Sequence, residues 1–240
     1  MRPLRLWVIG LTATLAASPA LAQAVSVDLG EGSLSGRAVQ LVLLLTVLSL
    51  APGILMTVTS FTRFVVVLSL LRNGLGTQGT PPNAVLISLA LFLSFFVMAP
   101  TFNQAWSDGI EPLTRGAITE TVAMDRTVQP FKTFMLKHTR GDDLKLFAEL
   151  ARERVTDRQQ LSLTTVAPAF LISELRRAFE IGFMLLLPFV VIDLVVAAIL
   201  MSMGMMMMPP VSVSLPVKLI FFVLVDGWHL VAGSLVKSYF

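Results

Sequence analysis

The sequence has 240 residues, of which 55% are hydrophobic and only 14% are charged, and its mean hydropathy is +0.80. These values exceed those of ordinary soluble domains and indicate a protein with several membrane-embedded segments. No cysteine is present, which excludes disulfides, thiolate metal sites and cysteine nucleophiles.

Residues 1–22 have the composition of a secretory signal peptide. Arg2 and Arg5 precede an apolar core, and a small-residue cleavage site ends at Ala22. The alternative is a first membrane anchor that is retained. Without those two arginines, 16 of the 18 basic residues remain against 15 acidic ones, so the rest of the chain is close to neutral. This balance argues against nucleic acid as a partner.

The distribution of charge divides the rest of the sequence into three parts. Residues 108–180 contain 11 acidic and 11 basic side chains, whereas the stretches on either side are apolar and carry few charges. We therefore predict an N-terminal helical hairpin over 23–106, a polar helical middle domain over 107–180 and a C-terminal helical hairpin over 181–240. With the signal peptide removed, the middle domain is expected to face the periplasm.

Four apolar segments are predicted as membrane helices. They cover residues 38–58, 83–98, 181–203 and 216–236. Each contains or adjoins a proline, a charged residue or both, which is unusual for a helix surrounded by lipid. The pattern favours kinked helices that form hairpins and pack against other protein.

Helical spacing also dominates the polar middle domain. We expect one helix to begin at Pro130, a second to be capped by Asp142 or Asp143, and a third to cover residues 168–183. No run of residues alternates between apolar and polar as a half-buried strand does. The predicted fold class is therefore an all-α membrane protein.

Residues suited to catalysis are scarce. His138 lies on the apolar face of a predicted helix and is interpreted as a packing or interface residue. His229 follows Asp226 by three positions and shares its helical face, but that pair alone has too few ligands for a metal. No glycine-rich phosphate loop or nucleophile elbow is present. The sequence predicts neither an enzyme nor a cofactor or metal site.

Two carboxylates lie within apolar segments, where a charge is costly unless it is paired, protonated or facing water. Asp193 and Asp226 are therefore either relay groups for protons or ions, or structural groups with a partner on another helix, such as Lys218 for Asp193. The structural interpretation is favoured. A separate charged cluster (Glu174, Arg176, Arg177, Glu180) precedes the third segment and would be able to fix register between subunits.

Six of the 12 methionines lie in residues 201–208, immediately before Pro209 and Pro210. Two successive prolines make the helix hard to continue. Methionine is flexible and polarizable and repacks around irregular partners. The cluster is either a methionine-rich helix end at a membrane interface or a surface that seals, deforms and seals again.

Several blocks of sequence, in a fixed order from about residue 38, resemble one known family. They are Thr59–Arg63, Leu71–Asn73, Pro81–Asn83, Pro168–Leu175, Ile192–Val196, Ser214–Leu219 and Asp226–Trp228. Together they are similar to the FliP family of flagellar biosynthesis proteins, whose relatives serve virulence type III secretion. The middle domain matches least well.

The resemblance implies a subunit of the export gate, which lies in the bacterial inner membrane at the flagellar basal body and admits unfolded secreted proteins. In that family several copies assemble with FliQ and FliR subunits into a helical ring around a pore. The implied partners are therefore further copies of this chain, FliQ-like and FliR-like subunits, and the unfolded substrates.

The resemblance also implies roles for particular residues. A gasket that narrows the pore falls on Met203, Met205, Met206, Met207 and Met208. Glu174 is the best candidate for a salt bridge between subunits. The remaining polar positions with an intersubunit or structural role are Arg177, Asp193, Lys218 and Asp226.

A second hypothesis is an ion-coupled carrier of small solutes that uses Asp193 and Asp226 as relay groups. Such carriers are commonly built from internal repeats around a binding site at the membrane midplane. The first two apolar segments show no convincing inverted likeness to the last two. The carrier hypothesis also leaves the methionine cluster without a role.

Overall fold

The computed structural model describes residues 34–77, 79–153, 157–205 and 207–240. These ranges are helical and contain no strand, which confirms the predicted all-α fold. The α-helices in the described ranges are α1 (Leu34–Val58), α2 (Phe61–Leu75), α3 (Asn83–Ala105), α4 (Glu111–Thr114), α5 (Glu120–His138), α6 (Gly141–Leu150), α7 (Leu163–Ser202), α8 (Pro210–Leu224) and α9 (Gly227–Lys237). A π-helical turn (Trp106–Ile110) joins α3 to α4, and a short 3₁₀ turn (Arg158–Gln160) precedes α7.

The chain divides into two compact units, Met1–Ser49 and Leu50–Phe240. The described part of the first unit belongs to α1, and its apolar side chains from Val39 onward are exposed. The hydroxyl of Thr46 in this stretch donates a hydrogen bond to the Val42 carbonyl, one turn earlier in the same helix, at 2.7 Å. The predicted signal peptide lies outside the described residues.

Two helical stretches are long and apolar enough to cross a membrane, Asn83–Thr114 and Leu163–Ser202. The α8–α9 pair gives a third if the bent pair is counted as one span. At 1.5 Å per residue, the 40 residues of α7 extend about 60 Å, roughly twice the thickness of a bilayer core. Part of α7 must therefore lie outside the hydrocarbon region.

The core of the second unit is built on α2 and α7. Phe64, Val67 and Leu71 on α2 are almost fully buried. The two helices approach so closely that a β-carbon at Gly182 would lie 2.3 Å from Leu70, and one at Gly74 would lie 2.3 Å from Leu186. The contact partners move toward the C-terminal end on both helices, from Leu70 to Gly74 on α2 and from Gly182 to Leu186 on α7, so the two helices are parallel. Small residues permit such close approach between helices in membranes.

A second group of buried side chains joins the middle helices to the first half of α7. Met135 on α5 and Leu144 and Ala148 on α6 pack with Val166 and Phe170 on α7. The polar helices are therefore anchored on the same long helix whose second half is apolar. Helix α7 therefore connects the polar part of the second unit to its apolar part.

The predicted helix over 168–183 and the apolar segment over 181–203 are one continuous helix in the structure. The sequence changes from charged to apolar after Glu180, but no residue there breaks the backbone hydrogen bonds. The prediction that a helix begins at Pro130 is wrong, since α5 begins ten residues earlier at Glu120 and contains Pro130 inside it. The helix predicted near Asp142 is confirmed as α6, although neither aspartate caps it.

The predicted single segment over 216–236 is two helices bent by 64°. Asp226 between them has φ 50°, a left-handed conformation that cannot continue a right-handed helix. Gly227 follows because a β-carbon there would lie 2.2 Å from the Phe222 ring. The bend therefore depends on the backbone at two adjacent residues.

Candidate functional site

The methionine cluster forms a loop between α7 and α8. The N–H of Met205 donates to the Leu200 carbonyl at 3.0 Å, and the N–H of Gly204 donates to Met201 at 3.0 Å. Gly204 has φ +76°, so these bonds form a Schellman ending, in which glycine at the left-handed position satisfies the last helical carbonyls. Pro210 then begins α8 at a position where a missing N–H costs little.

The side chains of this loop project away from the protein. Met207 is fully exposed, and Met203, Met205 and Met208 are also exposed. An open recess is lined by Gly204, Met205, Met207, Met208 and Pro209. Met206 lies outside the described residues. A group of exposed apolar side chains of this kind is a surface suited to contact with other molecules.

Arg63 on α2 and Glu174 on α7 form a buried ion pair. Arg63 Nε donates to Glu174 Oε2 at 2.9 Å, and Nη2 bonds the other carboxylate oxygen. The two side chains are 2% and 0% exposed. Because an uncompensated charge at such a site is very costly, the bidentate geometry is what makes the burial tolerable.

Tyr239, next to the C-terminus, completes this buried cluster. Its hydroxyl donates to Glu174 Oε2, and its ring lies 3.8 Å from the guanidinium carbon of Arg63. Arg63 Nη1 also donates to the Ser238 hydroxyl at 2.8 Å. The cluster thus ties α2, α7 and the C-terminal end into one connection.

Glu174 has partners within the single chain, and its predicted salt bridge between subunits stays a prediction. Both of its carboxylate oxygens are bound inside the chain, by Arg63 and Tyr239. The local spacing of charges before the third apolar segment indicated an interface. It could not show that the partner lies 111 residues earlier in the sequence.

Asp193 on α7 pairs with Lys218 on α8, with 2.6 Å between Oδ2 and Nζ. Lys218 is buried and also donates to the Gly74 carbonyl at 3.1 Å. The partner that the sequence offered for a structural role of Asp193 is therefore present. This pair joins the two helices that flank the methionine loop and connects both to the end of α2.

The sequence predicted that Asp226 lies inside an apolar helix, and this prediction is wrong. Asp226 occupies the bend between α8 and α9, where it is largely exposed and lies 3.5 Å from His229 Nδ1. The left-handed backbone at Asp226 explains why a helix predicted through it is broken. In the described part of the chain no group of three or more His, Cys, Asp or Glu residues forms a metal site.

His138 ends α5 against aromatic side chains, as predicted for a packing residue. Its ring centroid lies 4.7 Å from that of Phe134 and 5.0 Å from that of Tyr239. Burial lowers the pKa of His138 to about 4, and the nearby charges of Arg63, Lys137 and Arg177 act in the same direction. Arg177 itself is exposed, and it forms no salt bridge with any residue in the described ranges.

Two functional positions were missed by sequence reasoning. Arg63 was noted only as part of a resemblance block, and Tyr239 was not considered. A signal existed for the second, because Tyr239 is the only tyrosine in the sequence and follows a largely apolar segment. A lone phenol in such a segment requires a hydrogen-bond partner when it is buried.

Together, apolar helices of spanning length and ion pairs held between them define an all-α membrane protein. Comparison with known sequences then specifies the family. The sequence profile of the FliP family matches residues 44–235, so the chain belongs to the FliP family.

Three relatives named flagellar biosynthetic protein FliP illustrate the similarity. The protein of Caulobacter vibrioides is 58% identical over 223 residues, covering 92% of this chain and 84% of the relative. The protein of Rhizobium meliloti is 55% identical over 212 residues, covering 87% and 86%. The protein of Bacillus subtilis is 54% identical over 202 residues, covering 84% and 91%.

Proposed function

We propose that this protein is a pore-forming subunit of the flagellar type III protein export gate in the bacterial inner membrane. It passes unfolded protein chains, and its methionine loop narrows the pore. Family membership and relatives named for flagellar biosynthesis support the role in flagellar export. The observation that carries the gating role is the exposure of Met203, Met205, Met207 and Met208, of which Met207 is fully exposed.

The loop suits a seal for chemical reasons. Thioether side chains are apolar, so a ring of them disfavours ions, and they are flexible, so they adapt to substrates of different shape. Symmetric copies of one chain place equivalent loops around a common axis. The rigid endings at Gly204 and Pro210 fix where each loop leaves its helices, so that only the methionines need to move.

The rest of the molecule supports assembly. Large apolar side chains such as Phe92 and Phe96 on α3 and Phe183 on α7 are exposed in the single chain. In the proposed complex these faces contact lipid, further copies of the chain, or FliQ-like and FliR-like subunits. The middle domain over 107–180 faces the periplasm, and residues 1–22 are removed as a signal peptide. Arg177, Lys218 and Asp226 remain candidate contacts or supports in this assembly.

The carrier hypothesis has less support. Asp193 is engaged by the buried Lys218, and Asp226 lies at an exposed bend rather than within a helix. A relay between these two carboxylates would have to break the first ion pair in each cycle. The export role instead uses this pair to hold α7 and α8 on either side of the loop.

Crosslinking of a stalled export substrate tests the proposal. A photoreactive amino acid replaces Met207 in the loop or, as a control, Met124 on α5, which is an exposed methionine of the middle domain. A substrate fused to a folded domain is then arrested in the gate in living cells. We expect crosslinks from position 207 and few from position 124. Equal crosslinking at the two positions, or none at 207, would contradict the proposed pore loop.

A further inference from the structure

A small polar cavity of about 110 Å³ lies where the middle helices meet the core of α2 and α7. Its position does not involve the methionine loop. The walls come from α2, from the junction of α5 and α6, from α7 and from the C-terminal end. They are formed by Arg63, Lys137, His138, Thr139, Arg140, Arg177 and Ser238.

The charges around this cavity do not balance. Glu174 neutralises Arg63, and Glu180 lies 3.9 Å from Arg140. Lys137 and Arg177, in contrast, form no salt bridge with any residue in the ranges that the structure describes.

A further acid, Asp143 on α6, accepts a hydrogen bond from Ser173 at 2.6 Å and is not part of the wall. The cavity therefore has an excess of positive charge on its polar walls. Such a cleft attracts anions.

His138 in the cavity wall also responds to this charge. Burial is the main cause that lowers its pKa to about 4, and cations from three separate elements, Arg63 on α2, Lys137 on α5 and Arg177 on α7, act in the same direction. A bound anion would offset that repulsion. The cations are therefore close enough to the cavity to act together on one ligand.

The position along α7 indicates what kind of anion is available. Arg177 lies just before the point where the helix changes from charged to apolar, and Ile181 and Met184 follow it at helical spacing. Met184 and Phe183 are exposed apolar side chains. If α7 crosses the membrane, its charged boundary lies near the lipid headgroups and its exposed apolar face lies beside the acyl chains.

We propose that this cavity is a phosphate-binding site, filled by the headgroup of an anionic membrane phospholipid or by inorganic phosphate. Lys137 and Arg177, which form no salt bridge in the described ranges, supply the positive charge that binds the phosphate group. The site is independent of the proposed pore loop, because a lipid or phosphate bound here contacts neither the loop nor its flanking prolines.

Binding to the purified full-length chain in a neutral detergent tests the site. The probes are inorganic phosphate, phosphatidylglycerol and zwitterionic phosphatidylcholine, with binding followed by native mass spectrometry and calorimetric titration. The variants are Lys137→Gln and Arg177→Gln, both at exposed side chains, so the fold should be retained. Lys145→Gln on α6 is the matched control, since it removes the same charge from an exposed position outside the cavity.

We expect each cavity variant to weaken binding of the anionic probe roughly tenfold, as for loss of one charged hydrogen bond. Lys145→Gln should have little effect. Preference for phosphatidylglycerol over phosphatidylcholine identifies a lipid ligand, and binding of inorganic phosphate alone identifies a free one. Absence of binding by both anionic probes, or an equal loss in Lys145→Gln, overturns the proposal.

A second measurement reports on the cavity directly. The chain has only two histidines, so a His229→Gln variant leaves His138 as a single histidine signal for isotope-edited NMR. Saturating phosphate or phosphatidylglycerol should raise the pKa of His138 from about 4. An unchanged titration in the presence of a bound anion would place that anion elsewhere and refute this site.

Discussion

Gly182 on α7 lies directly against Leu70 on α2, with room for a hydrogen atom but not for a methyl group. A β-carbon at position 182 would fall 2.3 Å from Leu70 Cδ1 and 3.3 Å from Leu70 Cβ. The close approach keeps the parallel pair of helices together along the segment that links the Arg63–Glu174 cluster to the Asp193–Lys218 pair. A glycine that is unfavourable for helix formation therefore permits this close packing.

Gly182→Ala should destabilise the protein despite the higher helix propensity of alanine. The new methyl group must displace Leu70, and overpacking of this kind costs about 1–3 kcal/mol. Gly233→Ala is the matched control, since nothing lies within 4 Å of a β-carbon there and the change should be neutral or stabilising. Thermal unfolding in detergent measures both. Equal shifts in Tm for the two variants would refute the packing argument.

We expect substitutions in the buried cluster around Glu174 to lower the free energy of unfolding by different amounts. Tyr239→Phe removes one hydrogen bond to a charged acceptor and should cost about 1–3 kcal/mol. Glu174→Gln leaves the buried Arg63 without its counter-charge and should cost more, roughly 3–5 kcal/mol. Denaturant titration of the purified protein gives both values.

An exposed ion pair serves as the control for this series. Arg115 and Glu111 form an i,i+4 pair in which the arginine is 72% exposed, so Glu111→Gln should change stability by less than about 1 kcal/mol. If Glu174→Gln is no worse than Glu111→Gln, the buried pair does not stabilise this fold.

Stability should fall in acid because of His138. Its pKa is about 4 in the folded protein and about 6.5 when unfolded, so the unfolded chain binds the proton more readily. This contribution is fully present above pH 6.5 and is lost progressively as the pH falls from 6.5 toward 4. His138→Gln should flatten the pH dependence of unfolding in that window. An unchanged slope in His138→Gln would contradict the depressed pKa.

Replacement of the exposed methionines of the loop with alanine should open the proposed pore. Alanine at 203, 205, 207 and 208 removes most of the thioether volume, and we expect increased leakage of ions or small molecules across the membrane with assembly preserved. The control carries alanine at Met124 and Met184, which are also exposed but lie outside the loop. Intact sealing in the loop variant would count against the gasket.

Asp193→Asn distinguishes a structural role from a relay. The change leaves the buried Lys218 amine without its carboxylate partner, so folding or assembly should be impaired. A double variant, Asp193→Asn with Lys218→Met, removes both charges and should recover part of the stability. If the double variant assembles but loses the proton dependence of export, the carboxylate is a relay and the structural interpretation is wrong.

The amino-acid sequence determined the class of this protein. Long apolar segments and the absence of alternating patterns specify helices in a membrane, because backbone groups in lipid must be satisfied within the segment. The break in the helix at the methionine loop could also be predicted, since Pro209 and Pro210 are local signals that a helix does not continue. Lys218 was identifiable as a partner for Asp193 because few charges are available in the apolar segments.

Only the tertiary structure revealed the partners that are distant in sequence. Arg63, Glu174 and Tyr239 meet because α2 and α7 are parallel and the C-terminal end returns to them, a relationship that no local spacing encodes. The continuity of α7 through Glu180 and the bend at Asp226 were likewise hidden. A change in polarity does not interrupt backbone hydrogen bonds, whereas one left-handed residue does.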